Sequence, residues 1–334
     1  MVKWRSLAIG LLVSAVCIWL LLRTIDPAGV AEALGSADPG WLGLALLSIA
    51  ASFALRCWRW QLFFLPADRV GFWAAFAPTM IGYMLNTVLP GRVGELARAA
   101  LVSRTEGVST ARALGTILVE KIVDVLVLLL IIGGLTAVLP LPPEATAAGL
   151  TAAVLFGGVA VLFFVMSQVR GQVVAWAERR LDHLPLLGRV KPSALADLVL
   201  GAADSLRVPH LLALQLVLAA LMWVVAYGTI YAITRAFGMD VPWSAPALVL
   251  AMTNLGMTVP SAPGYVGVYH YIATLALRPF GVDEEVAAAF AITLHAVSFG
   301  SMLVIGVSVL LLDLARQRFT MDDLWKWNAA RSPG

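Results

Sequence analysis

Long apolar runs dominate the chain: residues 6–22, 41–56, 115–139, 147–167, 210–234 and 286–312. A helix of about 20 mostly apolar residues crosses the hydrocarbon of a bilayer. Inside lipid every backbone N–H and C=O must find a partner within the protein, which restricts such runs to helices or a closed barrel, and runs of this length predict helices. No segment between them is long and polar enough for a separate soluble domain, so residues 1–334 read as one all-α polytopic transmembrane domain. Composition agrees: 60% of residues are hydrophobic and 13% charged, with a mean hydropathy of +0.89, where soluble domains carry about 25% charged residues.

The first run follows Lys3 and Arg5 as a signal peptide would, but "LLRTIDPAG" after it offers no small-x-small cleavage site, and a retained helix is expected. Cys17 and Cys57 lie in or at the edge of apolar segments, which supports neither a disulfide framework nor a metal cluster. His183 and His210 have no ligand spacing, and no zinc motif, P-loop, dinucleotide fingerprint or nucleophile elbow occurs. No cofactor, metal or nucleic acid is expected, and no catalytic residue.

Lys and Arg mark the loops that stay cytoplasmic. With the N-terminus inside, residues 23–40, with Asp26, Glu32 and Asp38, fall outside, and the basic region of Arg56, Arg59 and Arg69 falls inside. If 72–89 crossed fully, Arg98, Arg104 and Arg112 would lie outside. A re-entrant hairpin over about 72–104, turning at Pro90-Gly91, avoids that. Residues 168–208, with Arg170, Arg179, Arg180, Arg189, Lys191 and Arg207, read as a cytoplasmic amphipathic stretch. A second hairpin over about 243–278 enters from the outer face ahead of the acidic link Asp283, Glu284 and Glu285. The tail, with Arg316, Arg318, Lys326 and Arg331, ends in the cytoplasm.

The two hairpins are similar. "PGRVGE" at 90–95 matches "PGYVGV" at 263–268, "WAAFAP" at 73–78 parallels "WSAPAL" at 243–248, and Ser109 and Asp283 stand at helix N-caps. Since they enter from opposite faces, the halves 1–140 and 147–313 read as inverted-topology repeats, with about six full transmembrane helices plus two re-entrant hairpins. Broken backbone at membrane depth is tolerated where it is buried in protein or lines a watery cavity. An ordinary Pro-kinked pair of spans is the alternative.

Arg92, Glu95 and Arg98 recur every three residues after the first break, near one helix face, where two guanidinium forks suit phosphate oxygens. Pro90, Gly91 and Gly94 shape the tip, whose backbone N–H groups add an anion site. Alternatively, Arg98 snorkels to the interface and Glu95 pairs Arg92. Within the apolar run 115–139, Glu120, Lys121 and Asp124 crowd into five residues, which is costly at membrane depth unless they are mutually paired or useful. The second tip carries Ser261, Pro263, Gly264, Tyr265, Gly267, Tyr269 and His270 with no fixed positive charge, so the headgroup is expected mainly at the first hairpin. His295 aligns with Lys121 and is either a hydrogen-bonded core residue or a group that couples transport to protons.

"LPGRVGELAR", "VEKIVD" and "PSAPGYVGV", in this order, resemble the flippase-like transmembrane domain of lysylphosphatidylglycerol synthases and its stand-alone relatives. The resemblance covers nearly the whole chain. It implies movement of an anionic lipid, such as an aminoacylated phospholipid or a polyprenyl-phosphate-linked sugar, between the leaflets of a bacterial or archaeal plasma membrane. It marks Pro90, Arg92, Gly94, Glu95 and Arg98, then Glu120, Lys121 and Asp124, then Pro263, Gly264 and Gly267. Lys121 stands where Arg is commoner, and His270 near where relatives often carry Glu. The aminoacyl-transferring domain is not expected here. Two other readings stay open: a membrane enzyme acting on a polyprenyl phosphate with Glu120 or Asp124 as acid and base, and an accessory subunit partnering a membrane-bound glycosyltransferase or synthase.

Overall fold

The computed structural model describes residues 4–89, 93–136, 204–259 and 261–316, with the isolated positions 158, 165, 172, 175, 197, 198 and 201. Among these, the regular structure is all helix. Helix α1 runs over Trp4–Leu22, and α2, Pro27–Ser36, turns away from Ala8–Leu22 by 85°. The cause is local: Pro27 cannot continue a helix but suits the first turn of the next, and the Asp26 carboxylate accepts the Ala28 N–H at 3.1 Å. The region expected as an outer loop at 23–40 therefore contains a helix. The same device starts α3, Pro39–Leu62, where Asp38 accepts from Gly40 N–H at 2.7 Å and Trp41 N–H at 3.2 Å.

Helix α3, α7 (Pro209–Ala236) and α10 (Glu284–Ala315) are each long and apolar enough to cross a membrane. Their outward faces carry large bare side chains such as Leu47, 67% exposed, and Val304, 65% exposed. Their inward faces are small: Ala45, Ala232 and Ala291 are fully buried or nearly so. That inversion of the soluble pattern suits lipid outside and close helix contact inside. Helix α6, Thr110–Thr136, is longer than expected at its start and carries its charges between Arg112 and Asp124. The run 147–167 and the amphipathic stretch 168–208 lie almost wholly outside the described residues.

The remaining helices are short. Helix α4 (Phe72–Val88, 17 residues) packs antiparallel to α5 (Val93–Glu106, 14 residues), and α8 (Ser244–Gly256, 13 residues) pairs with α9 (Val268–Leu277, 10 residues). At about 1.5 Å per residue none exceeds about 26 Å, less than the bilayer core of about 30 Å. Close approach is made by glycine: the Gly94 N–H donates to Asn86 Oδ1 at 2.7 Å, and a Cβ at Gly94 would overlap the Gly82 carbonyl. Helix α10 contains a π-helical turn, Ala296–Gly300, directly after His295.

Candidate functional site

Two groups of polar side chains lie inside this apolar fold. The first joins α3, α5 and α6. The tight α4–α5 contact turns Arg98 inward, where it is 1% exposed. Its guanidinium carbon sits 3.7 Å from the Trp60 ring centre, a cation–π contact, and its Nη2 is 2.9 Å from Glu120 Oε2. The two meet in distance rather than in hydrogen-bond alignment, so this is an ion pair. Trp60 is held by its Nε1–H, which donates to Thr116 Oγ1 at 3.0 Å.

Arg59 pairs with Asp124, reaches the Glu120 carbonyl at 3.5 Å and lies over Phe63. Arg56, one turn earlier, faces Tyr83, Asp124 and Glu120 and makes no ion pair among the described residues. Three arginines therefore share two carboxylates, which leaves one positive charge in excess. Arg59 Nε and Arg98 Nε and Nη1 are buried without a hydrogen-bond partner among the described residues. Buried donors of this kind are costly unless something is bound to them at some stage of the cycle. Closer to solvent, Lys121 Nζ lies 3.8 Å from Glu95 Oε1.

The second group surrounds the break between α8 and α9. Gly264 (φ 69°) and Gly267 (φ 87°) take left-handed conformations that glycine alone adopts freely; Tyr265 (φ 58°) shares this rare region. The His295 Nε2–H donates to the Gly264 carbonyl at 2.7 Å, and the Gly267 N–H donates to His270 Nδ1 at 3.3 Å. The turn is pressed against two other helices. A Cβ at Gly264 would lie 3.3 Å from the Thr87 carbonyl at the end of α4, and one at Gly267 would lie 2.6 Å from the Ser14 carbonyl of α1. Ser14 Oγ also accepts the Ala262 N–H at 2.8 Å.

Pro90, Gly91 and Arg92 lie outside the described residues. Glu120, Lys121 and Asp124, adjacent in sequence, do not pair with one another: each meets a partner on another helix, Arg98, Glu95 and Arg59 respectively. Arg98 is inside the protein rather than at the interface. Arg56 and Arg59, expected in a basic region after the second span, belong to α3 itself, and Arg59 is fully buried. Sequence reasoning missed Arg56, Arg59 and Trp60. Their signal was present in "RCWRW" at 56–60, where two arginines three apart match two carboxylates four apart in "VEKIVD". Among the described residues no three of His, Cys, Asp and Glu gather as metal ligands.

A family profile described as the lysylphosphatidylglycerol synthase TM region matches residues 7–306. The chain is 24% identical over 322 residues to a "UPF0104 membrane protein" of Methanothermobacter thermautotrophicus, covering 91% of this chain and 94% of that protein. It is 26% identical over 347 residues to "Glycosyltransferase AglD" of Haloferax volcanii, covering 92% of this chain. The chain spans 54% of the length of that second relative.

Proposed function

The chain belongs to the family of the lysylphosphatidylglycerol synthase TM region, and on that premise we propose that it moves an anionic lipid between the leaflets of a bacterial or archaeal plasma membrane, without chemical change. The observation that carries this reading is the surplus positive charge of the half-buried Arg56 and the buried Arg59 and Arg98 over Glu120 and Asp124, in otherwise apolar helices. A charge at the bilayer centre costs about 2.5–3.5 kcal/mol on insertion scales, so intramembrane charges mark substrate paths.

In this reading α4–α5 and α8–α9 are re-entrant hairpins of inverted repeats, supported by their short length and by the contact of Gly264 with Thr87. Arg92 and Arg56 receive the headgroup phosphate, while the acyl or prenyl chains stay in the bilayer. Arg59 and Arg98 stand behind, held by Asp124 and Glu120 until the anion arrives. Lys121 and Glu95 lie at the more solvated end. Both termini are cytoplasmic.

The test is reconstitution in liposomes with a headgroup-labelled phosphatidylglycerol or a labelled polyprenyl phosphate, scoring label that changes leaflet. Wild type is expected to move one of them, and Arg56→Ala and Arg92→Ala to move it at least tenfold more slowly, about 1.4 kcal/mol of lost stabilisation. Full activity in both variants would overturn the headgroup assignment, and no movement of either lipid by wild type would overturn transport. A second reading is favoured by one observation, the match to part of a relative named a glycosyltransferase: the chain serves as the membrane partner of a glycosyltransferase or synthase. Co-purification of such an enzyme with the chain from native membranes tests it.

A further inference from the structure

We propose that the His270–His295 pair is a proton-binding site that takes up a single proton, on His295, and that this proton clamps the turn between α8 and α9 against α4 and α1. The hydrogen bonds already assign the ring atoms. A carbonyl can only accept, so His295 carries its proton on Nε2, facing Gly264. The Gly267 N–H can only donate, so His270 Nδ1 is bare. Each ring therefore has a defined neutral tautomer.

The two rings respond differently to acid. A proton added to Nδ1 of His295 leaves its bond to Gly264 in place and makes it charge-assisted, roughly twice as strong as a neutral one. A proton added to Nδ1 of His270 would oppose the Gly267 N–H and break the start of α9, where that bond sits. The ring centres are 4.6 Å apart, so two imidazoliums would repel strongly. One proton is the capacity of the pair, and His295 is its holder.

The groups that face the pair do not compete for this role. Within α9 it is the phenol of Tyr269, whose ring lies 5.5 Å from the His295 ring; Phe299 stacks on His295 at 4.7 Å, with Tyr265 of the turn beyond it against Phe299. From α1 comes Ser14, and from α4 the Thr87 carbonyl. Among the described residues no carboxylate, ammonium or guanidinium contacts either ring. Both rings are half-buried rather than sealed in the core. The clamp follows from position: Gly264, which His295 holds, is the residue that abuts Thr87.

The pair binds its proton whatever cargo the protein carries, so the test reads no transport. Full-length protein in detergent micelles, labelled with nitrogen-15 in its 4 histidine rings, is titrated by NMR from about pH 8 to about pH 4, the range that brackets histidine. Each ring is assigned by its His→Gln variant. The expected result is one proton per pair, arriving on His295 Nδ1 with Nε2–H retained, while His270 stays neutral. In His295→Gln the side-chain amide still donates to Gly264 and the uptake is lost. In His270→Asn, His295 still takes up its proton on Nδ1 with Nε2–H retained. A first proton on His270, two imidazoliums forming together, or no uptake by the pair in this range would each overturn the assignment. Wild type alone decides this should a variant fail to fold.

Discussion

Replacing Glu120 by Ala removes the carboxylate beside Arg98 and leaves the guanidinium 1% exposed within the helix bundle. The lost attraction is about 4 kcal/mol for charge centres about 4 Å apart at an effective dielectric of about 20, consistent with the 2.9 Å Nη2–Oε2 approach. Trp60 still faces the guanidinium at 3.7 Å and keeps about 0.5–2 kcal/mol. Deleting one member of a buried pair costs about 3–5 kcal/mol in proteins generally, so about 3–4 kcal/mol is expected here. Replacing both Arg98 and Glu120 by Leu removes the uncompensated charge, and apolar replacement of a whole buried pair is often neutral or stabilising. The assay is equilibrium unfolding in SDS followed by tryptophan fluorescence, with Glu120→Leu and Arg98→Leu as the single variants of the double-mutant cycle. The double variant should be more stable than Glu120→Ala alone. If Glu120→Ala unfolds with wild type, or if the double variant loses the sum of the two single effects, the pair is not what holds α5 to α6.

Gly94→Ala should separate α4 from α5, because its Cβ overlaps the Gly82 carbonyl and lies 2.7 Å from Asn86 Oδ1; a loss at or above the overpacking range of about 1–3 kcal/mol is expected by SDS unfolding, and wild-type stability would show that the contact yields freely. Asp38→Ala removes the acceptor for two N–H groups at the start of α3 and should cost about 1 kcal/mol, with Asp38→Asn largely restoring it. Gly267→Ala forces a side chain into φ 87° and against the Ser14 carbonyl at 2.6 Å; it should cost about 1–3 kcal/mol, and a silent variant would mean α1 is not packed on that turn. Single cysteines at Leu89 and Ser261, in a chain lacking Cys17 and Cys57, should react slowly with a membrane-impermeant maleimide from either side of intact vesicles and fully after SDS. Prompt labelling of both from one side would sink the opposed hairpins.

The long apolar runs were legible, whereas the helix starts at Asp26-Pro27 and Asp38-Pro39 were not read, and α2 fell in what was expected as an outer loop because ten residues between two spans suggest a connection. The two breaks were also legible, since Pro and Gly punctuate any helix. The partners of the charges were not. "VEKIVD" invites pairing within itself, yet Glu120 and Asp124 share a sign and Lys121 points to the more solvated side, so each turns to a different helix. The spacing in "RCWRW" puts two arginines on one helix face and matches that of "VEKIVD", but which helix meets that face is settled only by packing.

By itself the sequence determined that the chain is a bundle of membrane helices, where most of them start, and where two of them break, because hydropathy, capping and the limits of Pro and Gly act within a few residues. Only the tertiary structure decided that Arg59 and Arg98 are buried on Asp124 and Glu120, that His295 holds the Gly264 carbonyl, and that this turn meets the end of α4. Those outcomes join residues 22 to 177 positions apart, such as Arg98 with Glu120 and Thr87 with Gly264. Which face of a helix meets which neighbour is set by the packing of the whole bundle.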